Sequence, residues 1–167
     1  MRLPLLQETE WKTMLDTSKK EQKVEDLLPY ITESIRDGGQ FVFFPKGTSM
    51  NPTIVYEKDC VVLKEPENLK KYDIVLYKRA NGSFVLHRII DIKNGTYTMR
   101  GDNQFLLENG ISKEQIIAVV SEIRKQDKTV IYIDKIHSKS AYRQMRAKKI
   151  ALTILNKIKL IVRNNKH

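Results

Sequence analysis

One hydroxyl stands between a flexible and a rigid residue in Gly47-Thr48-Ser49-Met50-Asn51-Pro52-Thr53, directly after the apolar run Phe41-Val42-Phe43-Phe44. Glycine permits a tight backbone and close approach of a substrate, and Pro52 sets the direction in which the chain leaves. A turn of this kind can hold a serine exposed at the edge of a sheet, where a nucleophile has to be. The same residues also read as an ordinary turn.

A serine hydroxyl attacks at neutral pH only when a neighbouring base takes its proton. The chain holds three histidines, His87, His137 and His167. His137 opens a strongly basic tail and His167 is the last residue of the sequence, so both read as solvated. His87 lies within the strand-like run Phe84-Val85-Leu86-His87-Arg88-Ile89-Ile90. An imidazole with a pKa of about 6.5 suits a general base near neutral pH. The competing reading is a half-buried strand histidine bonded to some carbonyl. A catalytic histidine further needs a group that holds its tautomer. Asp102 follows the run Thr96-Tyr97-Thr98-Met99 and can supply it, although Gly101-Asp102-Asn103 is also good turn chemistry by itself.

In this order the residues resemble the signal peptidase and LexA-like serine peptidase superfamily, from about Phe44 to Ile123, roughly half the chain. Three blocks carry the resemblance. Gly47–Thr53 looks like the Ser-Met-x-Pro nucleophile block. Tyr72-Asp73-Ile74-Val75-Leu76-Tyr77 with Leu86-His87-Arg88-Ile89 forms the second. Arg100-Gly101-Asp102-Asn103 followed by Ile116-Ile117-Ala118-Val119-Val120 forms the third. Bacterial-type signal peptidases and LexA-like proteins use a lysine base, whereas the endoplasmic-reticulum and archaeal type carries histidine. With His87-Arg88 the chain resembles the histidine branch.

The resemblance implies Ser49 as nucleophile, His87 as general base and Asp102 as orienting acid. It also implies a mainly β fold of small coiled antiparallel sheets and cleavage after small residues. A lysine base must lose its proton through burial, against a free pKa of about 10.4. Lys78 is the nearest strand-end lysine and ranks below His87. Two positions depart from the family pattern. Gly47 stands where a serine often helps to bind the oxyanion, which leaves that task to backbone N–H groups such as that of Ser49. Tyr72 stands where a glycine usually precedes the Asp73-Ile74-Val75 strand.

The chain has 167 residues, enough for one domain with a sizeable core and too few for two large ones. A single cysteine, Cys60, excludes an internal disulfide, and its setting in Cys60-Val61-Val62-Leu63 suggests a small buried strand residue. Neither zinc-ligand spacing nor a phosphate-cradling glycine loop is present, so neither metal nor nucleotide cofactor is expected. Acidic residues come too early near the N-terminus for a signal peptide, and no window offers about 18 uninterrupted apolar residues. A departure from the family follows: no membrane anchor is visible. The expected location is cytoplasmic, with peripheral contact at the inner membrane face.

Three segments are expected. Residues 1–39 form a helical N-terminal segment, with Leu27, Leu28, Ile31 and Ile35 at helical spacing ahead of Gly38-Gly39. Residues 40–134 form the peptidase-like domain, with strands at 41–44, 60–63, 74–78, 84–91, 97–100, 116–122 and 130–133. Asn81-Gly82 and Asn94-Gly95 read as hairpin turns. Residues 135–167 form a basic tail, helical by propensity. From Lys135 onward there are ten Lys or Arg and no acid, so the surplus of +10 belongs wholly to the tail.

At 100° per residue, Ile150, Ala151, Ile154, Leu155, Ile158, Ile161 and Val162 share one face of that tail. Lys148, Lys149, Asn156, Lys157, Lys159 and Arg163 take the other, with Leu152 and Leu160 among them. Such a helix can lie on anionic lipid, fill a partner groove or pack on its own domain. Nucleic acid is disfavoured because stacking aromatics are nearly absent.

The expected function is a serine endopeptidase acting on a peptide or a leader or signal sequence. One alternative is a LexA-like self-cleaving regulator, but the 39 residues before the β region are too few for a DNA-binding module plus a linker. A non-catalytic peptide- or membrane-binding module of the same fold is the other.

Overall fold

A computed structural model describes residues 23–133 together with Tyr142, Ala147, Ile150, Ala151, Ile154, Leu155 and Ile158. Among the described residues the fold is mainly β: one antiparallel sheet of eight strands, with one short helix described over its full span. The strands are β1 (Phe41–Phe43), β2 (Cys60–Lys64), β3 (Ile74–Lys78), β4 (Phe84–Lys93), β5 (Thr96–Arg100), β6 (Glu108–Ile111), β7 (Ile116–Arg124) and β8 (Val130–Tyr132). They lie in the order β1-β2-β7-β3-β4-β5-β6, with β8 also on β7.

The expectation of helical N- and C-terminal segments is not borne out. On the N-terminal side helix α1 covers Val24–Ile35, and residues 1–22 lie outside the described region. Glu25 and Asp26 in the first turn suit the positive end of the helix dipole. Ile31 and Ile35 are the residues α1 buries, against β1, β2 and β7. The chain leaves α1 through a tight turn at Arg36–Gly38, where Gly38 takes φ +82°. Most of the expected C-terminal helix also lies outside the described residues, although the seven described there have helical backbone.

Both predicted hairpins form. Gly82 at φ +87° closes β3–β4, and Asn94 and Gly95, both at positive φ, close β4–β5. The seven predicted strands are present with ends shifted by a few residues at most. β6 was not expected, because Glu108-Asn109-Gly110 reads as turn chemistry.

Strand alternation divides the interior into two clusters. One face carries Ile74, Leu76 and Leu86 with Met50, Ile54, Val61 and the α1 residues Ile31 and Ile35. The other carries Val75, Tyr77, Ile89, Met99, Ile111 and Val119. Central strands buried on both faces explain the near-continuous apolar runs of β2, β3 and β7. Cys60 is fully buried, and burial pushes its thiol up to about 12, which keeps it protonated and unreactive.

Candidate active site

The turn after β1 is pinned at both ends. Met50 and Ile54 are buried in the first cluster, and Pro52 follows Asn51 through a cis peptide bond. A second loop clasps it from outside. The Asn103 N–H donates to the Ser49 carbonyl at 2.7 Å, and Asn103 Nδ2 donates to the Thr48 carbonyl at 3.0 Å. Ser49 itself is half-exposed.

Gly101 makes this approach possible. A Cβ there would stand 2.7 Å from the Ser49 carbonyl oxygen and 2.9 Å from Gln104 Oε1. Gly101→Ala must therefore displace the backbone of the serine turn. The expected cost is about 1–3 kcal/mol of stability, with kcat lowered further by misplacement of Ser49. Thermal melts and kinetics on the variant check this, and wild-type behaviour in both would refute it.

β4 sends Leu86 and Arg88 to one face and His87 to the other. His87 is fully buried. Its Nδ1 lies 3.1 Å from Glu108 Oε1 and 3.2 Å from the Tyr77 hydroxyl. The register explains the meeting. His87 neighbours Ile89 on its face, Ile89 pairs with Met99, and Met99 pairs with Glu108 of β6. Tyr77 donates its hydroxyl proton to Glu108 Oε2 at 2.8 Å, and Arg79 grips the same carboxylate through Nε at 2.7 Å and Nη2 at 2.5 Å.

These contacts assign the tautomer. An ionised carboxylate only accepts, so Nδ1 must carry the hydrogen and Nε2 the lone pair. Nε2 is buried and has no hydrogen-bond partner among the described residues. Burial, followed by the Arg79 charge, outweighs Glu108 and holds the His87 pKa below the usual imidazole value. Burial pushes Glu108 up, but the bonds from Arg79 and Tyr77 prevail and hold it below the usual carboxylate range. At pH 7 the pair is a neutral imidazole and an ionised carboxylate.

Asp102, expected as the orienting acid, is held by other groups, and the carboxylate at hydrogen-bond distance from His87 is that of Glu108. The Asp102 carboxylate is gripped by Arg88, Nε to Oδ1 at 2.9 Å and Nη2 to Oδ2 at 2.7 Å, and accepts the Thr53 hydroxyl at 2.5 Å. The physical reason is the alternation of β4: Asp102 meets the face of Arg88, not that of His87. Arg88 and Asp102 are 2% and 1% exposed, which marks a buried structural pair. Arg88 also donates to the Tyr72 carbonyl at 2.8 Å. Tyr72 takes φ +80°, the conformation that favours the glycine of the family pattern, and the bonded backbone holds it there.

Lys78 is exposed at the end of β3 over the Phe84 ring and lacks the burial a lysine base needs. Sequence reasoning missed Glu108, Tyr77 and Arg79. No spacing signal marks Glu108, since its approach to His87 depends on strand register two hairpins away.

Beside Ser49 lies a cavity of about 140 Å³. Phe43, Pro45 and Gly47 line one side, and Phe84, Val85 and Leu86, the residues just before His87, line the other. The structure brings Ser49 next to this stretch of β4 and next to Gly101, without a hydrogen bond to His87 Nε2. Two open strand edges border the cavity. Among the described residues β1 pairs only with β2, and β5 covers β4 only from Arg88 onward, leaving 84–87 with one partner strand. Among the described residues no helix is long and apolar enough to cross a membrane. Comparison of the chain with protein-family models, with curated proteins and with solved structures finds no match.

Proposed function

We propose that the protein is a serine endopeptidase of the signal-peptidase-like type, with Glu108 in the place expected for Asp102. The observation that supports it is the setting of His87: Nδ1 lies 3.1 Å from the Glu108 carboxylate, and Nε2 is buried with no hydrogen-bond partner among the described residues. A structural histidine normally has both nitrogens satisfied.

In this reading His87 Nε2 takes the Ser49 proton as Oγ attacks the peptide carbonyl. The tetrahedral intermediate then expels the amine, which receives that proton from Nε2 as the C–N bond breaks. Water, deprotonated by Nε2, hydrolyses the ester and returns the proton to Ser49. The cavity beside Ser49 lies on the Leu86 face of β4 and His87 on the other, so this step requires the serine turn or the His87 ring to move when substrate binds. The Ser49 N–H is the available oxyanion donor.

The substrate lies extended between the open edges of β1 and of β4 at 84–87, adding main-chain hydrogen bonds to both. The apolar cavity, close in size to one that accepts a benzene ring, receives one small or medium apolar side chain ahead of the cut.

A fluorophosphonate probe, which needs only an activated serine, and a mixture of synthetic peptides test this together. Wild type is expected to label at Ser49 and to cleave after small apolar residues. Ser49→Ala and His87→Ala are expected to lose both activities. Equal behaviour of all three proteins, or a silent wild type in both assays, would refute the reading.

A further inference from the structure

Two exposed apolar surfaces have no role in the site described above. The first is on the tail. Ala147, Ile150, Ala151, Ile154, Leu155 and Ile158 have helical backbone and recur at the spacing of a single helix face. All six are exposed, with Ile150 at 45% and Ile154, Leu155 and Ile158 at 51–52%. At these six described positions the face is therefore open to solvent. The second is the tip of the loop joining Asp102 to Glu108, where Phe105, Leu106 and Leu107 are 69%, 78% and 42% exposed. Tyr142 links the two. Its ring lies 5.2 Å from that of Tyr72 and 5.7 Å from the Arg100 guanidinium, and its hydroxyl accepts a hydrogen bond from Arg100, directly ahead of that loop.

We propose that the tail helix face and the 105–107 loop together dock on an anionic lipid bilayer. Charge selects this occupant. The segment from Lys135 onward carries ten Lys or Arg and no acid, and each such cation near an anionic surface strengthens binding roughly fivefold. A basic helix with an apolar face inserts that face at the boundary between headgroups and acyl chains. A loop tip of three successive large apolar side chains inserts in the same way.

Other occupants fit less well. A second copy would bring the same ten cations against the first. RNA calls for stacking aromatics, and the only aromatic residue after 134 is Tyr142, which is already packed. Docking sets the 102–108 loop, and with it Glu108, against the membrane surface. The inference does not depend on the peptidase reading, because binding is measured without cleavage.

Flotation of the full chain with vesicles tests it. We compare phosphatidylcholine alone with phosphatidylcholine containing phosphatidylglycerol. Binding is expected to the anionic vesicles, at least about tenfold weaker to the neutral ones, and weakened by added salt. Leu106→Asp and Ile154→Asp, both at exposed positions, are each expected to lower affinity more than about tenfold. Circular dichroism and an unchanged melt confirm that the variants fold. Absent binding to anionic vesicles would overturn the proposal. So would binding insensitive to either substitution, lipid-free dimerisation that Ile154→Asp abolishes, or tighter binding to RNA than to vesicles.

Discussion

Replacing Glu108 by glutamine is expected to lower kcat for peptide cleavage by about 10⁴-fold while the protein remains folded. The reasoning is one of tautomers. A carboxylate forces the hydrogen onto Nδ1 of His87 and leaves Nε2 able to accept the serine proton. An amide at the same place can donate to Nδ1, which moves the hydrogen to Nε2 and removes the base. The charge that supports the imidazolium disappears in the same step.

The pH dependence follows from the same contacts. Burial holds the His87 pKa below the free value of about 6.5, so the acid limb of kcat/KM in wild type lies below that value. Because Glu108 raises the His87 pKa, Glu108→Gln moves the imidazole titration further down. Stability follows by linkage. The unfolded chain takes up the histidine proton first, so the contribution of neutral His87 is complete above about 6.5 and is lost as pH falls toward the folded value. Kinetics against pH and an NMR titration of the His87 ring measure both effects. A Glu108→Gln enzyme within tenfold of wild-type kcat would place the orienting group elsewhere.

For Asp102→Asn the opposite division is expected: a large loss of stability and little loss of chemistry. The substitution leaves the Arg88 guanidinium buried without its bidentate counter-charge, at a cost of about 3–5 kcal/mol. In a chain of this length that lowers Tm by roughly 6–20 °C. Measured well below the new Tm, kcat should stay within about tenfold of wild type, since Glu108 is the carboxylate at hydrogen-bond distance from His87 Nδ1. Replacing both partners, Arg88→Met with Asp102→Leu, should recover part of the stability that the single change removes. Activity loss without a fall in Tm would return Asp102 to the catalytic machinery.

Much of the architecture was legible along the chain because it rests on local signals. Alternating or continuous apolar runs marked seven strands, and Asn-Gly pairs marked the two hairpins that flank His87. The burial of Cys60 followed from its apolar run. β6 escaped because four residues containing Asn109-Gly110 carry turn chemistry, and only pairing with β5 makes them a strand. The exposed helix face of the tail was visible as a pattern, but whether its own domain covered it was not, since amphipathicity does not name the partner.

Composition and periodicity determined the β-rich domain and the basic tail, while residue type, turn chemistry and the family resemblance nominated Ser49 and His87. They also nominated Asp102, for its residue type and its place in a turn. Which carboxylate meets the imidazole was decided only in three dimensions. A strand turns successive side chains to opposite faces, so Arg88 took Asp102, while pairing across β4, β5 and β6 delivered Glu108 to His87. Register is a property of neighbouring strands, and no single run of residues contains it.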